Sequence, residues 1–339
     1  MDRLLVFVFL PFVAVTAFRD DFNTWNAGNY QIEVSAWGGG NNEFQVYVPD
    51  HNNLYVKNGN LYIRPTKTID SPHFNDVYHG DMNLYSLYGV CNQHDNNGCH
   101  KTANGNGEIL PPIMSAKIIT NFAMTYGRIN VRAKIPKGDW LWPAIWLLPR
   151  DFSYGGWPRS GEIDMMESIG NTKAMFGNQN RGINDVQSTL HWGPAYNQNA
   201  FYKTHNSKIK YGGDDWHGWH TYSLDWTADH IITYVDNQEI LRVDTPHNGF
   251  WNFGGFSGQN IWSHGGKNAP FDKPFHLILN VAVGGNFFGD DGHYDTQKPW
   301  SRYSPNPKRS FWEARGSWEN TWHGEEAAMI VDYIEMIPY

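Results

Sequence analysis

Gly127-Arg128-Ile129-Asn130-Val131-Arg132-Ala133-Lys134-Ile135 alternates residue by residue between apolar and polar side chains. Ile129, Val131, Ala133 and Ile135 share one face, and Arg128, Asn130, Arg132 and Lys134 share the other. Successive side chains of an extended chain point to opposite sides, so this stretch reads as a half-buried strand. Outward from it, short runs rich in β-branched and aromatic residues predict further strands at 44–48, 60–64, 116–120, 162–167, 186–191, 219–226, 231–235, 240–243, 275–283 and 329–337. Asp236-Asn237 lies between two of these runs and fits a hairpin turn. Polar loops rich in Asn, Gly and Asp separate the runs, and no segment sustains a helical period. The pattern is that of an all-β sandwich, whose sheets can bend into a long concave face suited to a polymer.

The chain has 339 residues, 40 % of them hydrophobic, enough to bury a large core. Its net charge of −8 argues against nucleic acid and against an anionic membrane surface, both of which call for concentrated Lys and Arg. A neutral polymer needs no basic groove. The 16 tryptophans suit either a packed β core or stacking on sugar rings. At the N-terminus, Arg3, an apolar run over 4–15 and Val15-Thr16-Ala17 read as a secretory signal cleaved after Ala17. The run is short for a membrane span, and an extracellular protein occupying residues 18–339 as one domain is expected. Cys91 and Cys99 are the two cysteines, and in an oxidising compartment they read as a disulfide. The alternative is a metal site drawing on nearby His94, Asp95 and His100.

The chemistry concentrates in Gly161-Glu162-Ile163-Asp164-Met165-Met166-Glu167-Ser168. Glu162 and Asp164 are two apart and share a strand face. Glu167 would face the other way unless Met165 or Met166 is absorbed in a β-bulge. Three carboxylates on one face repel, so the arrangement needs a reason. A calcium site is one and a solvated edge strand another. Glycoside hydrolysis is the sharpest: it pairs an ionised carboxylate with a protonated one, about 5–5.5 Å apart when configuration is retained. Asp164 between them could hydrogen-bond the nucleophile and raise its neighbours' pKa values.

This motif resembles the E-x-D-x-x-E strand of glycoside hydrolase family 16, and most closely its laminarinase-type endo-1,3-β-glucanases. The likeness extends through Gly40-Asn41-Asn42-Glu43-Phe44-Gln45, Trp140-Leu141-Trp142-Pro143-Ala144-Ile145-Trp146, His191-Trp192-Gly193-Pro194 and Leu279-Asn280-Val281-Ala282-Val283-Gly284-Gly285. The Cys91–Cys99 loop looks like that of the animal branch, which includes β-1,3-glucan-binding proteins. The resemblance implies a β-jelly roll of two curved antiparallel sheets with the substrate cleft on the concave face. It implies Glu162 as nucleophile, Glu167 as general acid/base and Asp164 as their support; no histidine pair has metalloenzyme spacing, so no cofactor for catalysis is expected. It implies substrate contacts from Trp142, Trp146 and His191, a sugar-binding amide at Asn42 assisted by Asn41, and a further contact at Asn280. It also implies a structural calcium ion at Asp332, an aspartate in an apolar run, aided by backbone carbonyls near Asn58-Gly59-Asn60. The expected partner is a laminarin-like β-1,3-glucan and the expected state a monomer. Non-catalytic glucan-recognition proteins of the same family are the rival reading; they lose catalytic acids that this chain keeps.

Overall fold

The computed structural model describes residues 17–339, so the signal-peptide reading of residues 1–17 lies, but for Ala17, outside the described residues. Two antiparallel sheets carry the fold. The larger has eight strands. Seven run in the order Gln238–Asp244, His230–Val235, Trp219–Trp226, Gly127–Lys134, Met329–Pro338, Asn60–Ile63, Leu54–Lys57, and Phe18–Asp20 pairs with Met329–Pro338. The smaller has seven, in the order His205–Ile209, Asp185–His191, Glu162–Glu167, Leu141–Pro149, Phe275–Val283, Lys117–Met124, Tyr30–Ile32. This is the jelly roll the family resemblance implies.

The opening stretch behaves as its alternation predicts. Ile129, Val131 and Ala133 are fully buried, and the polar residues between them face outward. They pack against Ile145, Leu147, Ile163 and Leu279 of the seven-stranded sheet in one apolar cluster. Burying that much apolar surface at about 25 cal/mol per Å² is what holds the sheets face to face. Most of the tryptophans belong to this packing: Trp140, Trp192, Trp226 and Trp318 are all fully buried. The aromatic excess is therefore largely core, and a glycan reading rests on the few indoles that line the cleft. Asp236 and Asn237 both take positive φ in the tight turn between His230–Val235 and Gln238–Asp244, as expected.

Cys91 and Cys99 form a disulfide, which removes the alternative of a metal site in that loop. The bridge closes a short loop, worth about 2–3 kcal/mol in the chain-entropy account. It belongs to a second apolar cluster with Val34, Ala36 and Val46. Gly98 accepts the Ala36 amide and Asn96 donates to the Trp37 carbonyl, so the loop braces the segment that follows Tyr30–Ile32.

Asp332 is not the buried, unpaired charge that its apolar surroundings suggest. Arg132 pairs with Tyr333 and Ala133 with Val331, which leaves Asp332 as the extra residue of a bulge. Its carboxylate accepts Arg132 Nη1 at 2.5 Å, and both side chains are over a third exposed. A guanidinium already supplies the countercharge, so the residues present do not fit a structural calcium ion. Purified protein is expected to carry no stoichiometric calcium, and chelation is expected to leave its melting temperature unchanged. One bound equivalent, with a melting point that falls on chelation, would reverse this reading.

Candidate active site

The acid strand Glu162–Glu167 enters from Gly161, whose φ of +83° lies in the left-handed region and whose missing Cβ would meet the Phe271 ring at 2.9 Å. On one side Trp146 pairs with Asp164 and Ile145 with Met166, leaving Met165 unpaired. On the other, Asp164 pairs with Thr189 and Glu167 with Gln187, so that Met165 and Met166 lie opposite Ser188 alone. The β-bulge expected from sequence is present at the methionines, both fully buried. It brings Glu162, Asp164 and Glu167 onto the face turned away from the core. Along that face one row of paired residues runs Ser207, Gln187, Glu167, Ala144, Asn280, Lys117.

Each outer acid accepts one indole N–H. Trp157 Nε1 donates to Glu162 at 3.0 Å and Trp142 Nε1 to Glu167 at 3.0 Å. His191 Nε2 lies 3.2 Å from Asp164 and 3.7 Å from Glu162. Asn199 fixes the tautomer of this histidine. Its Oδ1 accepts the amides of Trp192 and Phe201, so its Nδ2 donates to His191 Nδ1 at 2.8 Å. A neutral His191 therefore carries its proton on Nε2, toward the acids. The Nε2–H direction misses Asp164 Oδ2, and this buried oxygen has no hydrogen bond.

Burial, then the charge of Asp164, pushes Glu162 up to about 8; His191 and the Trp157 N–H oppose the shift. Burial and Asp164 likewise push Glu167 up to about 8, opposed by His191 and Trp142. Burial alone holds Asp164 well above the usual carboxylate range. Desolvation penalises the charged form of so deep an acid, so Asp164 holds its proton more tightly than an ordinary carboxyl. Once neutral, it no longer repels its neighbours and can offer them a hydrogen bond. The charge of Glu167 adds to the rise of Glu162, so loss of a proton from one carboxyl makes loss from the other harder and favours one ionised beside one protonated.

Trp142 and Trp146 share the face expected from their spacing but differ in setting. Trp142 is buried and stacks on Phe287 at 4.0 Å with an interplanar angle of 3°, so one ring face is covered. Trp146 is half-buried, with the Lys117 ammonium 4.9 Å over its ring. Asn280 is less a free sugar contact than a holder of Trp146: its Oδ1 accepts Trp146 Nε1 at 2.7 Å and its Nδ2 donates to Tyr47 at 3.0 Å. Asn41 and Asn42 are exposed in a loop whose Asn41 carbonyl accepts the Asn286 amide, next to Phe287. Glu162, Asp164 and His191 could also hold a metal, with one ligand atom from each lying within 4.8 Å of the others. A cavity of about 390 Å³ lined by Arg64, Lys67, Glu319 and Trp322 contains none of these residues.

Sequence reading missed Trp157, Asn199 and Phe287. Trp157 precedes Glu162 by five residues in a loop, where no periodicity marks it. Its ring lies 5.5 Å from that of Tyr196, which is 75 % exposed, and the pair widens the cleft's aromatic surface.

The model of glycosyl hydrolases family 16 matches residues 88–257. Over 337 residues the chain is 42 % identical to a β-1,3-glucan-binding protein of Penaeus monodon, covering 94 % of this chain and 89 % of that one. It is 32 % identical over 281 residues to a glucan endo-1,3-β-glucosidase of Cryptopygus antarcticus, covering 82 % and 83 %. Two further glucan-binding relatives are longer, and the chain spans 63 % and 64 % of their length. The laminarinase catalytic domain of Thermotoga maritima superposes with a TM-score of 0.61 at 23 % identity, covering 95 % and 97 %.

Proposed function

The chain belongs to glycosyl hydrolases family 16, and from that premise we propose that it is a secreted endo-hydrolase of β-1,3-glucan acting by double displacement. The observation that carries this reading is the bulge that sets Glu162, Asp164 and Glu167 on one face, with an indole donor on each outer acid. Glu162, ionised, attacks the anomeric carbon, and the bond to the leaving oxygen breaks as Glu167 delivers its proton. Glu167, now a base, takes a proton from water, which attacks the same carbon and frees Glu162. Two displacements return the anomeric carbon to its first configuration. When protonated, Asp164 can donate to Glu162 as that carboxyl becomes charged, which favours the ionised nucleophile. The disulfide fits an oxidising, extracellular setting.

A second reading follows from the relatives named as β-1,3-glucan-binding proteins, which raise recognition without cleavage. Incubation with laminarin separates the two. New reducing ends, carried early on by oligomers of mixed length, are expected. Retention of the protein on the glucan with no reducing ends released would favour recognition.

A further inference from the structure

A buried carboxyl outside the acid strand takes no chemical step in this mechanism. Glu43 is almost fully buried, and burial pushes it up to about 7 against the opposing effects of Gln45, Lys117 and Tyr47. Its surroundings give it two connections. Above it lies the loop Gly38-Gly39-Gly40, which carries Asn41 and Asn42. Gly39 has φ of +60°, and a Cβ there would sit 1.9 Å from the Glu43 carboxyl, so the loop rests directly on that group. The amides of Asn41 and Glu43 both donate to the Gly38 carbonyl, closing the loop over it.

Beside it, Gln45 Nε2 donates to Glu43 at 2.6 Å while Gln45 Oε1 accepts the Val283 amide, which anchors the carboxyl to the Phe275–Val283 strand. Tyr47 is its other polar neighbour, and the phenol and the carboxyl act on each other's titration. The tyrosine oxygen accepts Asn280 Nδ2, and Asn280 Oδ1 accepts Trp146 Nε1. Donor and acceptor senses agree along the two bonds, indole to amide and amide to phenol, which leaves the phenol's own proton for the neighbouring Glu43 carboxyl. Tyr47 and Asn280 are buried, so neither finds a substitute partner in water.

We propose that Glu43 is a positioning residue that holds two separate parts of the glucan-binding half of the cleft, the Gly38–Asn42 loop above it and Trp146 through Tyr47 and Asn280. The assignment rests on reading the cleft as a β-1,3-glucan site, but the positioning itself can be measured without ligand. Glu43→Gln keeps size and shape while removing one acceptor. Hydrogen exchange in the free protein is expected to speed up about tenfold or more at the Trp146 indole N–H and at the Asn41 and Glu43 amides. The core amides of Val131 and Leu279 are expected to exchange as in wild type. Tyr47→Phe, which interrupts the chain midway, is expected to loosen Trp146 and leave the loop amides as they were. With a β-1,3-gluco-oligosaccharide, Glu43→Gln is expected to bind about tenfold more weakly and to raise KM in proportion, with kcat on laminarin changed less than threefold.

Unchanged exchange at both places in Glu43→Gln would overturn the proposal. So would exchange that rises equally in the distant core, since that describes a residue of general stability. A fall in kcat with KM unchanged would overturn it as well. Wild-type protein that binds no β-glucan would defeat the reading of the cleft, and the exchange rates would still decide whether Glu43 positions Trp146 and the loop.

Discussion

Glu162→Gln is expected to lower laminarin cleavage on the order of 10⁴-fold or more while leaving oligosaccharide affinity within a few-fold of wild type. Glutamine fills the same volume and its Oε1 can still accept the Trp157 N–H, so the cleft keeps its shape. What it cannot do is attack carbon and carry a full bond to the sugar. Loss of the nucleophile removes the covalent path entirely, and Glu167, held on Trp142, is left to activate water alone. Rates and affinities measured on the same preparation separate chemistry from binding. Activity within tenfold of wild type would mean that Glu162 is not the nucleophile.

The same substitution carries a stability signature of opposite sign. Burial raises Glu162 above its value in the unfolded chain, to about 8. A carboxyl raised in this way contributes stability that is fully present below its unfolded pKa of about 4.3 and lost as pH climbs through about 8. Wild type at pH 8 and above therefore holds a poorly solvated charge that the amide does not. Glu162→Gln is expected to be more stable than wild type there by roughly 1–3 kcal/mol, with the gap closing toward pH 5. Denaturant titrations at the two pH values check this. A variant less stable than wild type at pH 8 would show that the charge is well compensated.

The parts of this molecule that were legible in sequence share one property: they repeat with the period of an extended chain. Gly127–Lys134 declared itself by strict alternation, and the acid strand by an alternation that fails at a single place. Because the side-chain period is two, that failure locates the bulge between Asp164 and Glu167. The same kind of irregularity in the C-terminal strand went unread, because Asp332 lacks a second acid to expose the slip. Its partner Arg132 is 200 residues away in sequence, and such pairings leave no local mark. Trp157, Asn199 and Phe287 escaped for a related reason. Each sits outside the regular strands, and its place beside an acid or a cleft residue is set by where the chain returns. The tryptophan count misled in the other direction, since residues such as Trp140 and Trp318 fill the core. Glu43 was legible as part of a motif but not as a support, because its connection to Trp146 runs through residues 47 and 280.

Glu167→Gln tests the other half of the mechanism, and its effect depends on the leaving group. On laminarin, whose leaving alcohol needs a proton, a loss of about 10²–10⁴-fold is expected. On an aryl β-glucan oligosaccharide with an acidic phenol, departure needs no proton, and attack by Glu162 should proceed at a rate much closer to wild type. The enzyme then stalls as the glycosyl ester, because no base remains to activate water. Added azide needs no base, so it should restore turnover and give a glycosyl azide of retained configuration. The pH profile adds an independent check. Glu167 is pushed up to about 8 by burial and by Asp164, and rising pH strips the proton it must deliver. Once Glu162 is ionised, wild-type activity on laminarin should fall as a further rise in pH strips Glu167, and this alkaline fall should vanish for Glu167→Gln acting on the aryl substrate. Equal losses on both substrates, or an azide product of inverted configuration, would remove Glu167 from the acid/base role, because neither outcome can arise from a proton donor working beside a covalent nucleophile.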